Sequence, residues 1–230
     1  MTKGQLKRFL KLTNEDLDEI RQAVINCEKK TSGEIALAVV GESDNYGFYE
    51  LVAAIFAAAL VFTLSLPFYS EINQCLSRFF WSVEPWILPA FYALEFGLFT
   101  VIFLILFNHP AIDFLIIPKS VKNRRVSLRA LAHFVESGVS QTVSRSGILI
   151  FVSVLERQVR IIGDSGIVAV IPQSQWDEVA ADLAKQIKVG NVKTAFIEAV
   201  SRCETFLSLN FPIEKDDKNE LSDGLVILEG

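Results

Sequence analysis

The stretch Arg145–Ile167, RSGILIFVSVLERQVRIIGDSGI, decides the fold. Gly147 to Val154 (GILIFVSV) is an almost unbroken apolar run opened by glycine, the composition of a strand covered on both faces. Gln158 to Gly163 (QVRIIG) reads as a second strand, and Leu155-Glu156-Arg157 is short enough to join the two as a hairpin. A two-stranded hairpin cannot bury enough surface to stand alone, so a further strand is required. The matching segment lies far upstream: EIALAVVGE, Glu34 to Glu42, set off by Thr31-Ser32-Gly33. A lone strand there needs partners as much as the hairpin does. The economical solution is one small mixed central sheet built from two separated pieces of chain, an α/β domain flanked by helices.

The helices around this sheet show their apolar faces at helical spacing. Thr13 or Asn14 can cap a helix carrying Leu17, Ile20, Val24 and Cys27, running to about Lys30. Ser120 to Gly138 carries Val126, Leu128, Leu131, Phe134 and Val135. Trp176 to Lys188 aligns Trp176, Val179, Ala180, Leu183 and Ile187, and Lys193 to Leu209 shows Phe196, Ile197, Val200, Phe206 and Leu207. After Pro212 comes a polar tail, EKDDKNELSDG, ending in LVIL.

Between the two pieces lie two apolar runs, about 48–68 and 86–107, holding only Glu50 and Glu95 as charges. At 1.5 Å per residue, about 20 helical residues cover a ~30 Å hydrocarbon core, so each run is long enough to span a bilayer. The expected organisation is residues 1–46 as the first part of the domain, 47–110 as a transmembrane hairpin, and 111–230 as an interfacial segment (AIDFLIIP, 111–118) plus the remainder. Cations flank the hairpin: Lys3, Lys7, Arg8, Lys11, Arg21, Lys29 and Lys30 before it, Lys119, Lys122, Arg124, Arg125 and Arg129 after it. The excess of positive charge predicts both termini in the cytoplasm, a multi-pass inner-membrane protein, and an outside loop from Tyr69 to Pro85. Trp81, Trp86, Tyr46, Tyr49 and Tyr69 fall near the boundaries, where amphipathic rings prefer to lie.

Composition narrows function by exclusion. Across 230 residues the formal charge is −5 and the acidity is dispersed, which argues against nucleic acid as a partner. The 3 cysteines (Cys27, Cys75, Cys203) are widely spaced and form neither a disulfide framework nor a zinc motif. MTKGQLKRFLKLTNEDL has no apolar core or cleavage site of a secretory signal, so the first span is expected to direct insertion. No Walker A, GxGxxG, HExxH or GxSxG pattern occurs.

Carboxylates supply the remaining candidates. Asp164 follows a strand between Gly163 and Gly166; it can ligate Ca²⁺ or Mg²⁺, or simply form an Asx turn. Glu34 opens the upstream strand; it is a solvent-exposed strand start, or it converges with Asp164 if their strands are neighbours. Asp217, Glu220 and Asp223 in the tail offer further oxygens to a hard cation, or form a solvated face. Glu95 is a different case. A charge inside a spanning helix marks a functional contact, such as Thr63 or Ser65 of a neighbouring helix in an oligomer.

The strand motifs TSGEIALAVV and RSGILIFVSVLERQVRIIGDSGI, with the closing NELSD (Asn219–Asp223), resemble the TPM domain family, also described through its thylakoid acid phosphatase members. The chain is similar in particular to a bacterial membrane subfamily in which a two-helix hairpin splits the domain. The resemblance runs over about Leu12–Val40 and Arg125–Leu228. It implies helices on both faces of a small sheet, and for some relatives divalent-metal binding or phosphatase activity. The expected function is therefore a membrane-anchored binding or assembly module at the cytoplasmic face. The lipid bilayer is its first partner, a protein or a second copy another. The alternative is a metal-assisted phosphatase using Asp164 and Glu34.

Overall fold

The computed structural model describes residues 1–79, 84–109, 112, 116–213 and 219–229. The chain divides into two units, Met1–Asp44 with Lys119–Gly230, and Asn45–Pro118. The expected outside-loop residue Trp81 and half of the interfacial segment 111–118 (111 and 113–115) lie outside the described residues.

In the first unit, the strands are β1 (Glu34–Val40), β2 (Gly147–Ser153), β3 (Gln158–Gly163) and β4 (Leu225–Leu228). They form one mixed sheet in the order β3-β2-β1-β4. β1 runs parallel to both β2 and β4, while β2 and β3 form the antiparallel hairpin. Central strands covered on both faces need apolar side chains on both, which is why EIALAVV and GILIFVS read as continuous apolar runs. Every residue of β2 is buried.

Side-chain alternation splits the sheet into two faces. Ile35, Leu37, Val39, Ile148, Ile150 and Val152 enter the larger core, together with side chains of α1 (Lys3–Phe9) and α2 (Asn14–Glu28). Side chains of two later helices, Gln173–Lys188 and Val192–Asn210, complete that core. The opposite face, with Ala38, Leu149 and Phe151, packs on Val126, Ala130 and Phe134 of α6 (Lys119–Glu136). Thr13 is the cap of α2: its side chain accepts from the Asp16 amide, and the Asp16 carboxylate accepts from the Thr13 amide.

Two elements of this unit go beyond the sequence reading. The basic N-terminal segment is a helix, α1, whose Leu6 is completely buried. The terminal LVIL is β4, an edge strand that closes the sheet against β1 in the register Leu37↔Leu225 to Val40↔Leu228.

The second unit contains α3 (Gly47–Ser65), a 3₁₀ turn (Leu66–Phe68), α4 (Tyr69–Phe79) and α5 (Ile87–Phe107). Helix continues through Tyr69–Phe79, where a loop was expected. Ile72, Leu76 and Phe79 recur one turn apart among polar residues, and that periodicity sustains an amphipathic helix. α3 and α5 pack on one another, with Phe62 edge-on to Tyr92 at 5.6 Å. The buried residues of α3 are Ala54 and Ala58, small side chains one turn apart of the kind that permits close helix approach. Glu95 is satisfied within this hairpin: Ser65 Oγ donates to its Oε2 at 3.0 Å, so Ser65 of the same chain supplies the contact.

Candidate functional site: a carboxylate cleft at one end of the sheet

At the amino-terminal ends of β1 and β2, Glu34 stands opposite Gly147. Asp164 donates its amide to the Gly147 carbonyl at 2.9 Å, and so lies on the far side of β2. β1 and β3 are not neighbours, since β2 separates them. At ~4.8 Å per strand, the backbones at Glu34 and Asp164 are about 10 Å apart. Gly147 between them has no room for a side chain: a Cβ there would meet the Val139 carbonyl oxygen at 2.4 Å.

Asp164 acts locally. It caps the short helix α7 (Ser165–Val170), its Oδ1 accepting from the Ser165 amide at 2.6 Å. Among the described residues its buried Oδ2 accepts no hydrogen bond, and Arg145 Nη1 lies 3.9 Å away. The GDSG sequence is explained by close approach, because a Cβ on Gly166 would fall 2.6 Å from the Arg145 carbonyl oxygen.

Glu34 instead gathers other partners. It is 5% exposed, and its Oε1 accepts from the Glu220 amide at 3.2 Å. The Glu220 carboxylate in turn accepts from the Val143 amide at 3.0 Å, fastening the tail to the loop that precedes β2. Beside Glu34 opens a cleft of about 320 Å³ lined by Glu28, Lys29, Glu34, Asn219 and Asp223. Asn219 Nδ2 donates to Asp223 Oδ1 and, at 3.4 Å, to Glu28 Oε2.

Glu28 is the member that the sequence reading missed. It ends α2, and its Oε1 accepts from the Ile35 amide at 3.1 Å. Burial pushes its pKa up to about 8, against the opposing hydrogen bond from Ile35 and with the support of the Glu34 and Asp223 carboxylates. The signal was present in the spacing: Glu28 lies four residues after Val24, so it continues the apolar face of α2.

The structure thus brings Glu28, Glu34, Asn219, Glu220 and Asp223 to one end of the sheet and leaves Asp164 beyond β2. Asp217 lies outside the described residues. Among the described residues, no group of three or more histidine, cysteine or acidic side chains is arranged to hold a metal ion. Glu34 Oε1 and Glu220 Oε2 are already engaged by backbone amides, so the described carboxylates do not form a ready Ca²⁺ or Mg²⁺ shell.

Comparison with known proteins agrees with this fold. The chain is similar to the NMR structure of BA42 protein from the psychrophilic bacterium Bizionia argentinensis, with a TM-score of 0.54 and 21% identity over 94% of this chain and 95% of that one. At that identity the likeness is one of fold. Among curated proteins there is no match. Residues 109–206 match the TPM domain, a segment that includes the β2–β3 motif singled out in the sequence.

Proposed function

We propose that this chain is a membrane-anchored TPM-domain module, held at the cytoplasmic face of the inner membrane by the α3–α5 hairpin, and that it works by binding. One observation carries the reading. Two helices, Gly47–Phe79 and Ile87–Phe107, are long and apolar enough to cross a membrane, and of their most apolar windows only 11% and 0% is buried. Phe56, Leu60, Leu64, Leu94, Leu98 and Ile105 are all more than half exposed. The apolar core helix of a water-soluble protein would be covered, whereas lipid is the medium that accepts such a surface. The cations flanking the hairpin support cytoplasmic termini. Alkaline carbonate extraction of membranes tests the anchor: the chain is expected in the pellet, and its release into the supernatant would refute the proposal.

A second reading concerns the carboxylate cleft. Glu28, Glu34 and Asp223 crowd together so that the Glu28 carboxyl resists ionisation, and a divalent cation would relieve that crowding. Ca²⁺ or Mg²⁺ would have to draw these groups in, with Asn219 and Glu220 moving alongside. Thermal unfolding with each ion tests it: a rise in midpoint abolished by Glu34→Gln supports the site, and no rise at saturating ion refutes it. The phosphatase alternative would engage Asp164 as well. Phosphoester hydrolysis unchanged by Asp164→Ala would exclude that role.

A further inference from the structure

At the opposite end of the sheet, where β2 finishes and β3 begins, a groove of about 710 Å³ opens. Phe9 and Ile187 contribute to its apolar lining, and its charged side chains are Lys11, Arg157, Lys185 and Lys188. Among the described residues, no acidic side chain lines it. In a chain with net charge −5, a wholly cationic groove is a local reversal of sign. Among the described residues, Lys11, Lys185 and Lys188 form no ion pair. Phe9 is 66% exposed at the groove wall, so the site offers apolar surface and positive charge together.

Two of the cations occupy backbone positions that favour glycine. Lys11 and Arg157 both have φ of +54°. An L-residue with a Cβ is strained in that left-handed region, and glycine would be relaxed there. Lys11 follows the end of α1, and Arg157 closes the β2–β3 turn, its amide donating to the Val154 carbonyl at 3.2 Å. Both are sites where turns and helix caps ordinarily use glycine. The chain therefore accepts backbone strain and sets long cationic side chains on the same groove.

Connectivity says what the groove meets. β1 ends at Val40, and Gly41–Asp44 leads from it into the apolar hairpin. The returning chain starts α6 at Lys119, and the early part of α6 lies on the β2–β3 hairpin, Gln158 Nε2 donating to Asn123 Oδ1 at 2.7 Å. Both stems thus leave from the cationic end, while the carboxylate cleft lies at the other end of β2, roughly 20 Å away.

We infer that the Lys11–Arg157–Lys185–Lys188 groove binds the headgroup of an anionic phospholipid of the bilayer that holds the hairpin, with Phe9 against its glycerol and upper acyl region. The inference rests on the membrane anchor proposed above. Each lysine or arginine near an anionic lipid surface strengthens binding by about five-fold, and the effect is confined to within a Debye length. The short Gly41–Asp44 segment joins the groove's end of the sheet to the hairpin by chain connectivity.

The test uses the full chain in nanodiscs of phosphatidylcholine alone or mixed with phosphatidylglycerol. Amide hydrogen exchange is followed at residues 153–159 and 184–192. Slower exchange there in the phosphatidylglycerol discs is expected, and the paired substitutions Arg157→Gly and Lys188→Gln should abolish the difference. Arg157→Gly relaxes the backbone, so unchanged protection of β2 in the variant separates lost binding from lost folding. Equal exchange in the two lipid compositions overturns the inference, as does protection that survives the paired substitutions. Protection produced by inorganic phosphate in phosphatidylcholine discs also overturns it, because the ligand would then be free phosphate. Co-elution with the discs reads the anchor separately, and a chain that enters neither composition removes both proposals.

Discussion

Substitution of Glu28 by glutamine should raise the stability of the sheet domain at alkaline pH and leave it nearly unchanged at acid pH. Burial and two nearby carboxylates lift the Glu28 pKa from 4.5 to about 8 in the folded chain. The native state therefore holds a proton that the unfolded chain has released at any pH between those values. Stability is consequently greatest below about pH 4.5, falls as pH rises through the window, and levels off above about pH 8. Each pH unit removes at most about 1.4 kcal/mol. Because the carboxyl is only half-buried, solvent screening reduces the total to about 2–4 kcal/mol. Glutamine cannot ionise, yet its carbonyl oxygen still accepts from the Ile35 amide as Glu28 Oε1 does at 3.1 Å. Hydrogen exchange of the β1 amides in the full chain, corrected for intrinsic rates, measures both profiles from about pH 4 to 9. The variant should become more stable than the parent by about 2–4 kcal/mol at the upper end, with the curves converging at the lower end. Parallel profiles across the window would refute the assignment of a perturbed carboxyl to Glu28.

Three further substitutions probe the fold. Gly147→Ala would drive a methyl into the Val139 carbonyl oxygen, 2.4 Å from the ideal Cβ, and should destabilise by about 1–3 kcal/mol in chemical denaturation. Leu6→Ala removes a completely buried side chain and should cost about 2–5 kcal/mol, whereas an undocked N-terminus would show no change. Arg157→Gly, at φ +54°, should stabilise the unit by up to about 1 kcal/mol in the same assay, and a loss of stability would contradict the strain argument.

Sequence periodicity revealed the elements whose own residues carry a complete signal. β1 and β2 are buried on both faces and therefore spell continuous apolar runs, and the hairpin announces itself by length and composition alone. β4 has no such signal. LVIL is compatible with strand or helix until β1 offers its open edge, so its conformation is set by tertiary pairing. α1 carries one buried leucine among cations and polar residues, which hides its amphipathicity. Its legible mark was the capping box Thr2-Lys3-Gly4-Gln5, in which Thr2 and Gln5 exchange hydrogen bonds.

The candidate site divides in the same way. Glu34 and the tail carboxylates were identifiable as charges at a strand start and in a short acidic run, but their meeting depends on where β4 returns the tail. Glu28 was passed over as the polar end of a helix, although its spacing from Val24 placed it on the buried face. Asp164 drew attention through its flanking glycines. Gly166 serves the close approach of α7 to the Arg145 carbonyl and Gly163 the approach of the Ile167 side chain, and β2 keeps Asp164 from the cleft.

The anchor is tested most directly by cysteine accessibility in intact cells. Cys27 and Cys203 are buried, and burial pushes the Cys27 thiol up to about 12 and raises Cys203 as well, so neither competes for a thiol reagent. Cys75 is exposed on α4, between the apolar helices α3 and α5. A membrane-impermeant maleimide should label Cys75 in intact cells, and Cys75→Ser should abolish the signal. Labelling of Cys75 only after the membrane is opened would contradict the topology on which this account rests.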